Sequence, residues 1–182
     1  SFEGGIASYV RHINHTKNPK HDSIFYASKD AKEIQVEIAL QYTDDLTETV
    51  LAFANNIVNP GGGTHLVGFR TALTRVLNNY ARAKGYIKEK DANLTGEDVR
   101  EGLTAIISIK VPEPQFEGQT KDKLGNPEVR TVVEENFGET LTTWLEEHPR
   151  DSEAIIAKCI LASRARAAAK AARESVLRKG AL

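Results

Sequence analysis

Side chains whose type and spacing suit chemistry are few in this chain, and none of them forms a self-contained catalytic group. Lys121 stands in a polar, glycine-containing stretch, Gln115–Gly125, beside Gln119 and Thr120. By residue type alone it is a solvated surface charge. Gly61-Gly62-Gly63-Thr64 invites comparison with a phosphate loop, because glycine before a helix N-terminus exposes free N–H groups to an anion. It lacks the Gly-Lys-Ser/Thr ending of that motif, and helix entry accounts for it better. Arg70, four residues before Thr74 on the same helical pattern, is by composition a solvent-facing charge. Among His12, His15, His21, His65 and His148 only His12 and His15 share a helix face, so no metal site is assigned and each is expected at the surface or in a cap. The carboxylates show no isolated acid/base pair, and Cys159 has no histidine partner within its helix.

Positioning these residues requires elements that the apolar periodicity outlines. Phe2, Ile6, Tyr9, Val10 and Ile13 recur at helical spacing and end before Asn18-Pro19. Strands are expected over Ser23–Ser28, Ile34–Tyr42 and Glu48–Asn56. The second alternates Ile34, Val36, Ile38 and Leu40 with Gln35, Glu37, Ala39 and Gln41, which predicts one dry and one wet face. Asp44-Asp45 supplies a turn, so an antiparallel meander is expected. Thr64 is read as the cap of a helix reaching about Lys84, with Leu66, Phe69, Leu73, Val76, Leu77 and Tyr80 inward and Gly85 as its stop. Thr95-Gly96-Glu97-Asp98 reads as a capped turn and Leu103–Val111 as a β-branched strand. Gln115–Gly125 is a long loop, a class more often functional than decorative. Asn126-Pro127 opens a helix to about Glu147, and His148-Pro149 divides it from Asp151–Lys179, which has no internal Gly or Pro. About 28 residues of helix extend about 42 Å, more than a domain of this size covers, so the half from Arg164 is expected to project.

The chain has 182 residues, 40% hydrophobic and 27% charged, enough for one domain with a proper core and unlike a disordered or collagen-like chain. No apolar run approaches the roughly 20 residues that span a bilayer. The single cysteine forms no internal disulfide, which suits a reducing compartment. The absence of methionine suggests part of a longer polypeptide. Net charge is −1, yet Lys158–Leu182 carries seven basic residues against Glu174 alone, so a basic end hangs on an acidic body. That end, Arg164–Lys179, is either a solvated stalk or a salt-sensitive DNA contact. The division expected is a core over 1–150 and a long basic helix over 151–182.

Five segments in order carry a resemblance over essentially the whole chain: Phe2-Glu3-Gly4-Gly5-Ile6, Phe53–Ile57 with Gly62–Arg70 (GGTHLVGFR), Arg100–Ala105 (REGLTA), Gln119–Gly125 (QTKDKLG) and Arg178–Leu182 (RKGAL). Together they resemble the second domain of the bacterial DNA gyrase B protein, a family whose close relative is the B-type subunit of topoisomerase IV. The resemblance implies an α+β transducer domain with a mixed four-stranded sheet backed by helices, a left-handed βαβ crossover against the usual hand, and a label of ribosomal small-subunit protein domain 2-like fold. It implies neighbours in the same chain, an N-terminal ATP-binding domain and a C-terminal metal-binding cleavage domain. The partners it implies are the gyrase A protein, double-stranded DNA and a second copy of the full gyrase B protein in a homodimer. No membrane is implied, and the location is bacterial, cytoplasmic and chromosome-associated.

The site residues follow from the same likeness. The Gln-Thr-Lys loop reaches the ATP site of the neighbouring domain, which also holds Mg²⁺. Lys121 would be catalytic and cofactor-binding, its ammonium placed where charge builds on the γ-phosphate, and Gln119 would donate an amide hydrogen bond to that phosphate. Thr120 would shape the loop. Arg70 and Arg75 would line a cavity for the transported DNA segment as phosphate contacts without base specificity. The implied function is ATP-dependent type II topoisomerase activity, coupled to strand passage and supercoiling, with the chain alone hydrolysing nothing. A non-catalytic nucleic-acid-binding module with a silent 119–121 loop, and a helical scaffold built on the stalk, remain the readings from other classes.

Overall fold

A computed structural model describes residues 5–181, with the side chain of residue 181 left out. Phe2, assigned to the first helix and to the opening motif, lies outside the described residues, as do Ser1, Glu3, Gly4 and Leu182. The order is α1 (Gly5–Asn14), β1 (Phe25–Ala31), β2 (Ile34–Tyr42), β3 (Thr49–Ala54), β4 (Ile57–Val58), α2 (Thr64–Ala83), α3 (Gly96–Arg100), β5 (Leu103–Lys110), β6 (Phe116–Glu117), β7 (Lys123–Leu124), α4 (Pro127–Glu147) and α5 (Pro149–Ala181).

The main sheet runs β1-β2-β5-β3-β4, with β3 and β5 parallel and every other pair antiparallel. The expected meander is therefore overturned: β5 enters between β2 and β3 and pairs with both. The sheet is mixed, as expected, but has five strands rather than four. Its extra strand is the two-residue β4, turned back by Asn55-Asn56 at φ 49° and 66°. Two left-handed residues in a two-residue loop match the twist of a hairpin, and Asn tolerates that region. Lys32-Glu33, at φ 51° and 66°, turns β1 into β2 in the same way.

Helix α1 covers one face of the sheet, where Val10 packs with Ala39 and Ile106. Helices α2 and α4 and the first half of α5 cover the other, with Phe69, Leu73, Phe137, Ile155 and Cys159 in one continuous core. The wet face expected for β2 is thus dry from Ile38 onward. Its Gln41 is buried but satisfied: Nε2 donates to the His21 carbonyl and Oε1 accepts from Asn14, whose own Oδ1 accepts from Thr104. Burial of such groups is tolerated only when each bond is made. Thr64 is the first residue of α2 rather than its cap, because Gly63 occupies the cap position. The capping box at Thr95 and Asp98 is formed as expected, and the 115–125 segment contains the short β6–β7 hairpin. With 33 residues, α5 is longer than expected and about 50 Å long. It is exposed from Arg164 onward.

Helices α2 and α4 approach closely at Gly68, where a Cβ would lie 2.5 Å from the Arg130 carbonyl oxygen. Alanine would gain about 1 kcal/mol in helix propensity, but the contact is with backbone that cannot turn aside, and overpacking costs about 1–3 kcal/mol. Gly68→Ala is accordingly expected to lower the urea midpoint despite the better helix former. A raised midpoint would show that the helices separate freely.

Candidate functional site

The 115–125 loop is fixed at its base and along its return path by two buried asparagines. Asn126, at the mouth of α4, accepts from the Gln115 N–H at 2.6 Å and donates to the Glu113 carbonyl at 3.0 Å. Asn59, 2% exposed, donates through Nδ2 to the Lys121 carbonyl at 2.8 Å. The glycine run continues this seam: the Gly61 N–H donates to the Asp122 carbonyl at 2.8 Å, and the Leu124 N–H to the Gly62 carbonyl at 3.0 Å. Gly63, at φ 134°, lies so close that a Cβ would collide with the Leu124 main chain. These N–H and C=O groups are engaged by the loop, so the run is a backbone cradle for residues 122–124 rather than an anion site.

Above the cradle, Gln119, Thr120 and Lys121 are exposed at the hairpin tip. Lys121 holds φ 59°, a region that side-chain-bearing residues other than Asn and Asp occupy uncommonly. Its Nζ lies 5.9 Å from the centre of the Phe116 ring, within cation–π range. Glu117 pairs with Lys123 at 3.4 Å, and among the described residues no carboxylate lies within ion-pair distance of Lys121. An ammonium so placed can meet an incoming anion without first breaking a salt bridge.

Arg70 and Arg75 are not brought together. Five residues apart, they point about 140° away from each other around α2. Arg70 Nη2 donates to Glu48 Oε1 at 2.6 Å, and Glu48 also receives Arg100 at 3.5 Å. Arg75 is exposed and passes over Gly138 of α4. On α5, Arg166 makes a two-pronged contact with Asp98 at 3.0 and 3.1 Å. Burial pushes the Asp98 carboxyl up, but the Arg166 guanidinium and the Thr95 donors outweigh it and hold it below the usual range.

Two histidines overturn the expectation of surface or capping roles. His21 is buried, with Nδ1 against the Ser23 carbonyl and Nε2 accepting from the Tyr42 N–H; burial lowers its pKa. His65 is fully buried, its Nε2 3.1 Å from Asn59 Oδ1, and burial drives its pKa down to about 4. Sequence reasoning missed Asn59 and the buried place of His65. Their one sequence signal was flanking the glycine run. His12 and His15 do stack, with ring centres 5.3 Å apart, but no group of three metal-ligating side chains exists among the described residues. Burial pushes the Cys159 thiol up to about 12, leaving it unreactive.

The family model described as DNA gyrase B matches residues 5–175. The DNA gyrase B protein of Halalkalibacterium halodurans is 54% identical over the whole chain, and that of Haloferax volcanii 55%; the chain spans 28% of the length of each. Among solved structures, the 43K ATPase domain of Thermus thermophilus gyrase B, in complex with an aminocoumarin, superposes with a TM-score of 0.87 at 40% identity, over 94% of this chain and 46% of that one. The topoisomerase IV ATP-binding domain of Francisella tularensis gives 0.76 at 25%, over 91% and 44%.

The buried His65 ring has a pH signature. In the folded chain it stays neutral down to about pH 4, while the unfolded ring takes up a proton near 6.5. Stability from this group is therefore full above about 6.5 and falls as the pH drops to about 4, by roughly 3 kcal/mol. Urea titrations of wild type and His65→Gln across this range should show that loss in their difference; a flat difference would mean that the ring titrates normally.

Proposed function

Because the chain belongs to the DNA gyrase B family, we propose that it is the transducer domain of an ATP-dependent type II topoisomerase, supplying Lys121 and Gln119 to the γ-phosphate of ATP held by an adjacent N-terminal domain. One observation carries the reading. Lys121 is an exposed cation without a carboxylate partner on a loop whose main chain is pinned to the core. A fixed ammonium stabilises charge that develops on the phosphate oxygens during transfer, and the Gln119 amide donates to the same group. ATP supplies the phosphoryl group. The residues here fit its γ end alone, and the same reading leaves Mg²⁺ to the neighbouring domain. Loss of the phosphate removes the contact, which lets the loop report nucleotide state to a DNA gate, with the gyrase A protein and a second copy of the full B protein as partners.

The same reading carries a left-handed β3–α2–α3–β5 crossover and the ribosomal protein-like fold label. It also carries a cytoplasmic site of action. No described helix is long and apolar enough to cross a membrane. For DNA, Arg75 is the better phosphate contact, since Arg70 is already engaged by Glu48. The exposed basic half of α5 favours a second reading, a nucleic-acid-binding module independent of ATP.

In the intact protein, Lys121→Ala is expected to lower ATP turnover on the order of 10²-fold, the cost of one transition-state donor. Unchanged turnover would remove the proposed role and leave the nucleic-acid-binding reading. For Arg75→Ala, DNA affinity should fall evenly across sequences, and the log–log salt slope should shrink by about 1; an unchanged slope would clear Arg75 of phosphate contact.

A further inference from the structure

We propose that Asn59, oriented by His65, is the positioning residue that fixes the main chain at Lys121 and thereby aims its ammonium. The proposal rests on the phosphate role of Lys121. Donor and acceptor chemistry leaves one arrangement. The Lys121 carbonyl can only accept, so the Asn59 amide must present Nδ2 to it, at 2.8 Å. Oδ1 then faces His65, and the ring nitrogen 3.1 Å away, Nε2, must carry the proton. The main chain of Asn59 is committed as well, its N–H to the Ala52 carbonyl and its carbonyl to the Gly62 N–H. With Nδ2 and Oδ1 both engaged as well, rotation of the amide would break both side-chain contacts.

The features that look costly are accounted for by this role. Lys121 holds a left-handed φ that its own side chain disfavours; Asn59 holds its carbonyl, and the Gly61 and Gly62 bonds hold Asp122 and Leu124 just after it. His65 is fully buried with Nδ1 lacking a partner, an arrangement that an apolar ring would fill with less loss. What an apolar ring lacks is the Nε2–H that turns Asn59. The relay joins the first turn of α2 to the tip of the 115–125 loop through one residue.

The test uses the intact protein with two readouts, tryptic cleavage at Lys121–Asp122 without nucleotide, and ATP turnover. Protease needs an extended segment, so release of Lys121 from its pinned conformation exposes that bond. His65→Phe keeps the buried ring but removes the donor; His65→Gln restores an N–H. We expect cleavage to accelerate about five- to ten-fold in His65→Phe, the effect of losing one hydrogen bond net of solvent. Turnover should fall about 10- to 100-fold, with KM changed less, as a misplacement of about 1 Å would cause. His65→Gln should stay near wild type in both. Asn59→Asp, which sets an acceptor against the Lys121 carbonyl, should reproduce His65→Phe even if the latter folds poorly. Combined with Lys121→Ala, Asn59→Asp should lower turnover no further than Lys121→Ala alone. Wild-type cleavage in both His65→Phe and Asn59→Asp, or losses that multiply with Lys121→Ala, would overturn the relay. Faster cleavage together with unchanged turnover in Lys121→Ala would instead retain the relay and sink the phosphate role.

Discussion

The position of β5 governs the rest of the molecule. By entering between β2 and β3 it fills the hydrogen-bonding edges of both, pairing with β2 along Leu103–Lys110 and with β3 along Thr104–Ile109, and its side chains from Leu103 to Ile107 are buried on both faces of the sheet. Because β5 runs parallel to β3, the chain must return to the same end before β5 starts, and only a long crossover does this. That crossover is α2 and α3. Helix α2 then needs a partner for its second face, which α4 provides at the close approach through Gly68. The end of β3 also turns, through β4, directly into Asn59 and the glycine run. The cradle for the Lys121 loop is thus a by-product of where the central strand sits.

Polar groups placed in this apolar frame hold the loop, and magnitudes explain why asparagines rather than ion pairs do so. The Glu117–Lys123 pair at the hairpin is half-exposed and adds at most about 1 kcal/mol. An unmade hydrogen bond at a buried asparagine costs about 1–3 kcal/mol. Asn55 ties the β3 turn to both backbone groups of Val111, Asn126 closes the loop base, and Asn59 holds its return. Each is a donor and an acceptor on one short side chain, so each can bridge two strands of chain that lack a regular ladder. The charged residues are left free to face outward, as Lys121 does.

Helix α5 divides the chain's two characters. Ser152, Ile155, Ile156 and Cys159 belong to the core, and ion pairs from Lys158 to Glu101 and from Arg166 to Asp98 tie the helix to the α3 region. Beyond Arg166 it is an exposed basic rod of helical residues. Packing and two ion pairs anchor the helix at one end, so that its orientation is set by the core. Such an element fits the transducer reading within the DNA gyrase B family, to which residues 5–175 match.

Features set by local backbone chemistry were legible in the residues. The limits of β2, the Thr95–Asp98 capping box, Asn126-Pro127 opening α4 and Gly85 closing α2 each depend on φ preferences or side-chain-to-backbone bonds within a few residues. The motif order sufficed to indicate the family. The rest was decided by contacts between residues far apart in the chain, which no local pattern encodes. Helix α1 buries Gln41 on a face that alternation had marked as wet, and β5 displaces the expected meander. Arg70 and Arg75 face different partners although they share a helix. Asn59 reaches the Lys121 carbonyl across 62 positions of sequence only because the fold lays the glycine run beside β7, where Gly63 bridges to Leu124. Long-range pairing costs loop-closure entropy that burial offsets, so it belongs to the folded chain as a whole rather than to any segment of it.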